Sequence, residues 1–206
     1  MADDKPATEF FEELWKKDVW TFESSEYEQA RFAHEIKLLE GRRYGRALEL
    51  GCGAGAFTRL YAPLCDAVVA TDIAQAAIDK AKTLNLPNVE FRTANAIDHE
   101  TWVKEGPWDL IVFNDTICYL GWRYSFFEVA WFAREMREAL AKSGRLLMAN
   151  TMNDEGGDYL LLPFITLTYR ELFKNVGFKL EKEDRFAGKR NGVVFTVVET
   201  LFSHEG

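Results

Sequence analysis

The stretch from Arg46 to Gly55 constrains the fold of this chain more than any other part of the sequence. It reads Arg-Ala-Leu-Glu-Leu-Gly-Cys-Gly-Ala-Gly, a short apolar run followed by three alternating glycines, and helix-forming residues resume at Ala56. This pattern predicts a buried strand, a tight turn and a helix. Glycines permit positive φ and close approach of a ligand, and the first helical turn offers unpaired N–H groups to an anion. The turn is therefore a candidate nucleotide-binding site.

Length and composition predict one globular domain. The chain has 206 residues, of which 48% are hydrophobic and 28% are charged, and these values are ordinary for a soluble protein. We expect a single domain over residues 1–206, with residues 1–41 as an N-terminal helical cap. The formal charge of -8 opposes binding to nucleic acid, which depends on clustered Lys and Arg.

The sequence also bears on location and on metal binding. No apolar run approaches the roughly 20 residues that span a bilayer, and Asp3 and Asp4 are unlike a signal or transit peptide, so we expect a cytoplasmic protein with no membrane contact. Cys52, Cys65 and Cys118 are widely spaced and odd in number. This argues against a disulfide framework and a zinc site, so we expect reduced cysteines and no metal.

Periodicity and turn residues predict a regular alternation of helices and strands. The predicted helices cover residues 7–17, 25–39 after a cap at Ser24 or Ser25, 56–63, 74–84, 98–103 and 123–140, and a last one contains Leu172 and Phe173 and ends at Gly177. The predicted strands cover residues 47–50, 67–71, 89–93, 109–113 and 145–150.

The end of the chain predicts an antiparallel hairpin. Residues 178–186 and 193–202 have strand character, are separated by a break at 188–192, and have no helix between them. In the helix over 123–140 we place Phe127, Trp131 and the Ala-rich tail of the segment on the apolar side. The whole pattern predicts an α/β fold with a mostly parallel seven-stranded sheet, helices on both faces and a C-terminal antiparallel hairpin.

Polar residues stand where the predicted strands stop, and an open parallel sheet binds its ligand at those carboxyl ends. The candidates are Glu49 with Gly51, Gly53 and Gly55; Asp72 with Ile73; Asn95 with Ala96 and Ile97; and Asn114 with Asp115. Asp72 lies about twenty residues beyond the turn, where a ribose-binding carboxylate is expected. Asn95 suits an adenine edge, and Glu49 suits an ammonium group. Their shared location predicts a nucleoside site.

Two classes of cofactor fit the glycine turn. The run Gly51-Cys-Gly-Ala-Gly-Ala also matches the dinucleotide fingerprint, and Asp72 suits either cofactor. Against a dinucleotide-dependent oxidoreductase, the chain has no second domain for a substrate and its terminal hairpin departs from a repeated βαβ plan. Glu49 before the first glycine favours a cofactor with an amino group, and the oxidoreductase stays as an alternative.

Several motifs in order resemble those of class I S-adenosylmethionine-dependent methyltransferases. They are Leu-Glu-Leu-Gly-Cys-Gly-Ala-Gly at 48–55, Asp72, Asn95-Ala96, Trp-Asp-Leu-Ile-Val-Phe-Asn at 108–114 and Ser-Gly-Arg-Leu-Leu at 143–147. More narrowly, residues 20–32, 55–65 and 109–120 resemble the NodS-like family, whose namesake N-methylates a deacetylated amino-sugar unit of a chitooligosaccharide.

The resemblance implies a Rossmann-like fold and S-adenosylmethionine as cofactor. It places Glu49 and the glycine turn at the methionine moiety, Asp72 at the ribose, and residues 95–97 at the adenine. Asn95 stands where this superfamily often has Asp. The segment from Asn153 to Leu162 has no clear likeness, so the substrate does not follow from the resemblance.

The expected partner is a small-molecule methyl acceptor, methylated at nitrogen or oxygen, and an amino sugar or other secondary metabolite would fit. Asp115 and Tyr119 follow the fourth strand and are candidate catalytic groups, and His34 is a candidate base. Arg31 is a candidate for the cofactor carboxylate, with a helix-surface salt bridge as the alternative.

Trp20, Phe22 and Tyr27 are candidates for an aromatic lid, or for packing of the cap onto the sheet.

A noncatalytic S-adenosylmethionine-binding regulatory protein or partner subunit is the alternative function, and the oligomeric state stays open.

Overall fold

The computed structural model describes residues 5–17, 20, 22, 25–153 and 159–204, with side chains from Ala7 onward. The helices are α1 (Lys5–Lys16), α2 (Glu26–Glu35), α3 (Thr58–Tyr61), α4 (Gln75–Lys82), α5 (His99–Val103), α6 (Ile117–Arg123), α7 (Phe126–Ala139) and α8 (Pro163–Asn175). The strands are β1 (Tyr44–Leu50), β2 (Cys65–Asp72), β3 (Val89–Thr93), β4 (Trp108–Val112), β5 (Leu140–Met152), β6 (Phe178–Arg190) and β7 (Val193–His204).

The strands form one seven-stranded sheet in the order β3-β2-β1-β4-β5-β7-β6. Strands β1 to β5 are parallel, and β7 runs antiparallel to both β5 and β6. This confirms the predicted fold class. Because the order reverses between β1 and β4, the carboxyl ends of these strands open a crevice for a ligand.

Alternate residues of the central strands enter two separate hydrophobic clusters, because side chains alternate between the faces of a sheet. Leu48 of β1 packs into a cluster with α7 and α8, whereas Ala47 packs into a cluster with α2 and α4. Ile111 and Leu110 of β4 divide in the same way. Both faces are therefore covered, as predicted.

The helix after the glycine turn is shorter than the predicted 56–63. Helix α3 has four residues and passes into a 3-10 turn over Ala62–Leu64. Pro63 lacks an N–H group and its ring crowds the preceding helical turn, so the α-helix cannot continue through it.

The predicted helix over 123–140 is observed as α7 over Phe126–Ala139, and the assignment of Phe127 and Trp131 to its apolar side was wrong, whereas Ala133 and Ala139 are buried as expected. Ser125 caps α7 in a capping box with Glu128. Phe127 and Trp131 are 74% and 45% exposed. The buried residues of α7 are Val129, Phe132, Ala133, Met136 and Ala139. The first four follow the i, i+3, i+4, i+7 pattern of a helix face.

The predicted break in the terminal hairpin is also too long. Strand β6 continues through Gly188, and the turn is only Asn191 and Gly192, which have φ of 53° and 84°. A Cβ on Gly188 would lie 2.8 Å from the ring of Tyr27. Gly188 therefore lets α2 pack closely on the hairpin.

The N-terminal helices agree with prediction. Ser25 caps α2, where its Oγ accepts from the Glu28 N–H at 3.4 Å, and Ser24 lies outside the described residues. Within the described ranges, no helix has both the length and the apolar character that crossing a membrane requires.

Two substitutions on α7 test its orientation. Phe132→Ala removes a fully buried ring and should lower the free energy of unfolding by about 3–5 kcal/mol. Phe127→Ala removes an exposed ring and should change it by about 0.5 kcal/mol or less. Urea denaturation measures both, and equal losses would contradict the observed register of the helix.

Candidate functional site

One cavity lies at the carboxyl ends of the parallel strands. Its empty space is about 1320 Å³, including the part open to solvent. The predicted site residues that line it are Arg31, Glu49, Gly51, Gly53, Asp72, Ile73, Asn95, Ala96, Asn114, Asp115 and Tyr119.

Glu49 is buried beneath the glycine turn. Its Oε2 accepts hydrogen bonds from Thr58 Oγ1 at 2.6 Å and from the Tyr61 hydroxyl at 3.0 Å. Burial raises the pKa of Glu49 to about 7, although both hydrogen bonds oppose this shift. The carboxyl group thus links β1 to α3 and supports the glycine turn from beneath.

Asp72 holds the other side of the turn. Its Oδ2 accepts from the Gly53 N–H and its Oδ1 from the Ala74 N–H, both at 2.9 Å. Burial raises the pKa of Asp72 to about 6, with the backbone hydrogen bonds opposing the shift. The carboxylate retains lone pairs toward the cavity, where it can accept from hydroxyl groups.

The three predicted glycines have different surroundings. All three have positive φ, 83° at Gly51, 54° at Gly53 and 81° at Gly55. A Cβ on Gly51 would clash with the Thr116 side chain, and one on Gly53 with the Trp15 ring. Gly55 faces Leu84 and Phe91 instead and does not line the cavity. It serves packing between helix and strand.

The Asn95 side chain makes its hydrogen bonds within the protein. Its Nδ2 donates to the Tyr124 hydroxyl at 2.9 Å, and its Oδ1 accepts from the Ile97 N–H at 3.3 Å. Ile97 packs against the hydrophobic core and does not line the cavity. Asn95 and Ala96 therefore form the cavity wall at this strand end, and Asn95 fixes the loop.

Residues from distant parts of the chain form hydrogen bonds with the two residues that follow β4, Asn114 and Asp115. Asn114 Nδ2 donates to Glu35 Oε1, and its Oδ1 accepts from the Ala149 N–H at 3.2 Å. Asp115 has a φ of 46°, and its Oδ1 accepts from the Thr151 N–H at 2.7 Å. Burial raises the pKa of Glu35 well above its usual range. Sequence reasoning missed Glu35 because no motif marks it.

Arg31 is buried, so the predicted alternative of a helix-surface salt bridge is wrong. Its side chain is 3% exposed, with Nε 2.9 Å from Glu28 Oε2 and Nη1 2.5 Å from Asp115 Oδ2. Nη1 also donates to Thr151 Oγ1 at 2.9 Å. Glu28 in turn pairs with Arg190 Nη1 at 2.9 Å. Glu28, Thr151 and Arg190 line the cavity and were not predicted.

The structure does not bring His34 to the cavity. Its Nδ1 lies 2.8 Å from Glu199 Oε2, and its Nε2 lies 3.8 Å from Asp184. The helical turn carries His34 toward β6 and β7, whereas Arg31, three residues earlier, faces the strand ends. His34 is therefore not placed to act as the base.

Aromatic side chains of the N-terminal segment and of α6 form part of the cavity wall. Phe11 of α1 contacts Tyr119 of α6 edge-on at 5.0 Å, and Trp15 packs with Trp20 at 4.9 Å between ring centroids. Trp20 and Phe22 line the cavity as the lid prediction requires. Tyr27 does not, because it packs against Phe186 and Phe195 of the hairpin.

The three cysteines form no disulfide bond. Cys52, Cys65 and Cys118 are free and buried. Burial raises the pKa of Cys52 well above its usual range, so its thiolate is disfavoured as a nucleophile. Across the described residues, no group of three or more His, Cys, Asp or Glu side chains could hold a metal ion.

The donor set suits an adenosyl cofactor carrying an amino acid end. A ribose diol needs an acceptor, which Asp72 offers, and the backbone at Gly51 and Gly53 lines the wall without side chains. The Asp115 carboxylate is 29% exposed and suits a cation. The residues present therefore fit S-adenosylmethionine.

Comparison with known proteins gives a family and several relatives. The profile described as Nodulation protein S (NodS) matches residues 5–152. Nodulation protein S of Bradyrhizobium diazoefficiens is 34% identical over 113 residues, which cover 52% of this chain and 52% of the relative. That of Azorhizobium caulinodans is 36% identical over 113 residues, with the same coverage. The chain spans about half the length of the curated relatives it matches.

Solved structures share the fold over nearly the whole chain. The N-methyltransferase NodS of Bradyrhizobium japonicum, in complex with S-adenosyl-L-homocysteine, superposes with a TM-score of 0.75 and 18% identity over 95% of this chain and 98% of that one. A complex of DhpI with SAH gives 0.66 and 20%, over 94% and 95%. At these identities the matches establish the fold.

The raised pKa of Glu49 predicts a pH-dependent stability. The folded protein binds the Glu49 proton more tightly than the unfolded chain, so this contribution is full below about pH 4.5 and is lost as the pH rises through about 7. Glu49→Gln can keep both hydrogen bonds without ionising. Relative to the original protein, it should gain roughly 3 kcal/mol between pH 4.5 and pH 8.

Urea denaturation at the two pH values measures this gain. Glu40→Gln is the control, because Glu40 is exposed and lies outside the glycine turn and the groups that support it. A stability difference between Glu49→Gln and the original protein that is the same at both pH values would contradict the raised pKa.

Proposed function

Because this chain belongs to the nodulation protein S (NodS) family, we propose that it is an S-adenosylmethionine-dependent methyltransferase acting on a nitrogen of a small molecule. One observation carries the proposal. The same cavity is lined by the glycine turn, by the Asp72 carboxylate, which stands where a ribose-binding acid is expected, and by a second carboxylate at Asp115. An amino sugar or another amine-bearing metabolite is the acceptor class we propose.

In this proposal the cofactor lies along the ends of β2, β1 and β4. Asp72 accepts from the ribose hydroxyls, Ala96 and Ile73 flank the adenine, and Gly51 and Gly53 give room for the methionine end. When bound, S-adenosylmethionine supplies an electrophilic methyl group whose bond to sulfur breaks as the bond to the acceptor nitrogen forms. Alignment of the two molecules supplies much of the rate.

Asp115 holds the acceptor amine. An amine with a pKa near that of lysine, about 10, is mostly protonated at neutral pH and must lose a proton before attack. The Asp115 carboxylate accepts from Arg31 and from the Thr151 N–H, which leaves lone pairs for an ammonium group. Asp115 therefore binds the ammonium form, orients it and receives its proton.

Tyr119 and the aromatic side chains of the N-terminal segment have supporting roles. The Tyr119 hydroxyl orients the acceptor from α6, and the rings of Phe11, Trp15 and Trp20 exclude water from the cavity. Exclusion of water strengthens the attraction between Asp115 and a cation.

The chemistry of the cavity supports nitrogen over oxygen as the acceptor atom. Asp115 attracts an ammonium group, whereas a neutral hydroxyl gains less from the same carboxylate. The description of the Bradyrhizobium japonicum relative as an N-methyltransferase supports the same choice.

Isothermal titration calorimetry tests the cofactor. We expect S-adenosylhomocysteine to bind and NADH not to bind. Asp72→Asn removes the charged acceptor and should weaken S-adenosylhomocysteine binding roughly 10- to 100-fold. Asp79→Asn is the matched control, because Asp79 is exposed on α4 and lies outside the cavity, and it should leave the affinity unchanged. Binding of NADH alone would overturn the proposal in favour of an oxidoreductase.

Turnover tests the role of Asp115. With an amine acceptor found by screening for S-adenosylhomocysteine release, Asp115→Asn should lower kcat roughly 100-fold, while thermal denaturation and calorimetry show that the variant is folded and still binds S-adenosylhomocysteine. Full turnover by this variant would remove Asp115 from the mechanism. Binding of S-adenosylhomocysteine with no release from any acceptor would favour a noncatalytic binding protein.

A further inference from the structure

Four side chains of alternating charge run along one wall of the cavity. Asp115 pairs with Arg31 at 2.5 Å, Arg31 pairs with Glu28 at 2.9 Å, and Glu28 pairs with Arg190 at 2.9 Å. All four line the cavity. The wall therefore carries a negative group at one end and a positive group at the other.

The two inner members are neutralised and the two outer members face the cavity. The side chains of Arg31 and Glu28 are each 3% exposed, and each lies between two opposite charges. The side chains of Asp115 and Arg190 are 29% and 38% exposed. A ligand in the cavity therefore meets the carboxylate of Asp115 and the guanidinium of Arg190.

Arg190 is held in place before any ligand arrives. Its guanidinium lies over the Phe195 ring at 4.9 Å, and its Nη1 donates to Glu28. The close packing of Gly188 on Tyr27 fixes the hairpin against α2. Nη1 is the one nitrogen of Arg190 that donates to a protein acceptor among the described residues. A guanidinium with remaining donors in a fixed fork matches a carboxylate or a phosphate.

The position of Arg190 in the sheet separates it from the nucleoside end. Asp72 ends β2 and Arg190 ends β6, and four strands lie between β2 and β6. Arg190 also lies beyond residues 5–152, the segment that matches the family profile. It therefore belongs to a part of the chain in which specificity can differ from that of the matched relatives.

We propose that Arg190 determines acceptor specificity by binding an anionic group, a carboxylate or a phosphate, of an amine whose nitrogen lies at Asp115. This inference rests on the proposed methyltransferase function. If Arg190 donates to a ligand, Glu28 still pairs with Arg31, so the buried Glu28 carboxylate keeps a neighbouring positive charge. The acceptor class is an amine that carries a negative charge elsewhere in the molecule.

Matched acceptors test the charge requirement. Glucosamine 6-phosphate is compared with glucosamine, and 6-aminohexanoate with hexylamine, by release of S-adenosylhomocysteine from S-adenosylmethionine. The first pair tests a phosphate and the second a carboxylate. We expect at least one anionic member to have a kcat/KM roughly 10-fold or more above its neutral partner, through a lower KM.

Variants of Arg190 connect this preference to the residue. Arg190→Gln should remove the preference by raising KM for the anionic acceptor about 10-fold with little change in kcat, and Arg190→Lys should retain part of it. Lys189→Gln removes the same charge from the exposed neighbour outside the cavity and should leave the preference intact. Thermal denaturation checks that all variants are folded.

Results that contradict the role of Arg190 differ from the result that contradicts the proposed function. Equal or faster turnover of the neutral partners, no turnover of either anionic amine, or an unchanged preference in Arg190→Gln would each overturn the inference. Weaker S-adenosylhomocysteine binding by Arg190→Gln would overturn it too, because Arg190 would then hold the cofactor. Failure of the original protein to bind S-adenosylhomocysteine at all would instead overturn the proposed function.

Discussion

The ion pair between Arg31 and Asp115 is the interaction on which the arrangement of the cavity depends. It joins α2 to the end of β4, and the same arginine donates to Thr151 at the end of β5. An arginine buried to this extent needs more than one acceptor, because removing a charge from water costs several kcal/mol. Glu28 and Asp115 together supply that compensation. The N-terminal helices are therefore part of the site's wall.

A second set of contacts gives the glycine turn its shape. Glu49 supports it from below through Thr58 and Tyr61, and Asp72 accepts from the Gly53 N–H at its side. Both carboxyl groups are buried, and burial raises the pKa of each. The residues that the family resemblance assigns to the cofactor thus also hold the turn that we propose as part of the cofactor site. The carboxyl groups of Glu49 and Asp72 therefore stabilise the fold and are also the groups proposed to contact the cofactor.

The sequence predicted the sheet well and the helix faces less well. Strand β3 was predicted at its observed bounds, and the hairpin of β6 and β7 was predicted from the missing crossover helix. In α7, however, Phe127 and Trp131 are as apolar as Phe132, so composition alone did not select the buried stripe. Packing against the sheet selected it, because only the stripe from Val129 to Met136 faces β4 and β5.

The sequence by itself determined the glycine turn, the acidic residue twenty positions later and the order of polar strand ends. The turn depends on local backbone geometry, and the strand ends meet at one edge because each helical connection starts the next strand in the same direction. Only the tertiary structure decided which side chains meet at the cavity. Glu35 contacts Asn114 from a distant part of the chain, and Glu28 and Arg190 are linked to Asp115 through Arg31. Nothing in the local sequence of these residues predicts these contacts. His34 and Arg31 are three residues apart on one helix, yet they have different neighbours. The physical reason is that α2 is fixed between the strand ends and the terminal hairpin, and its rotation assigns each residue to one side or the other.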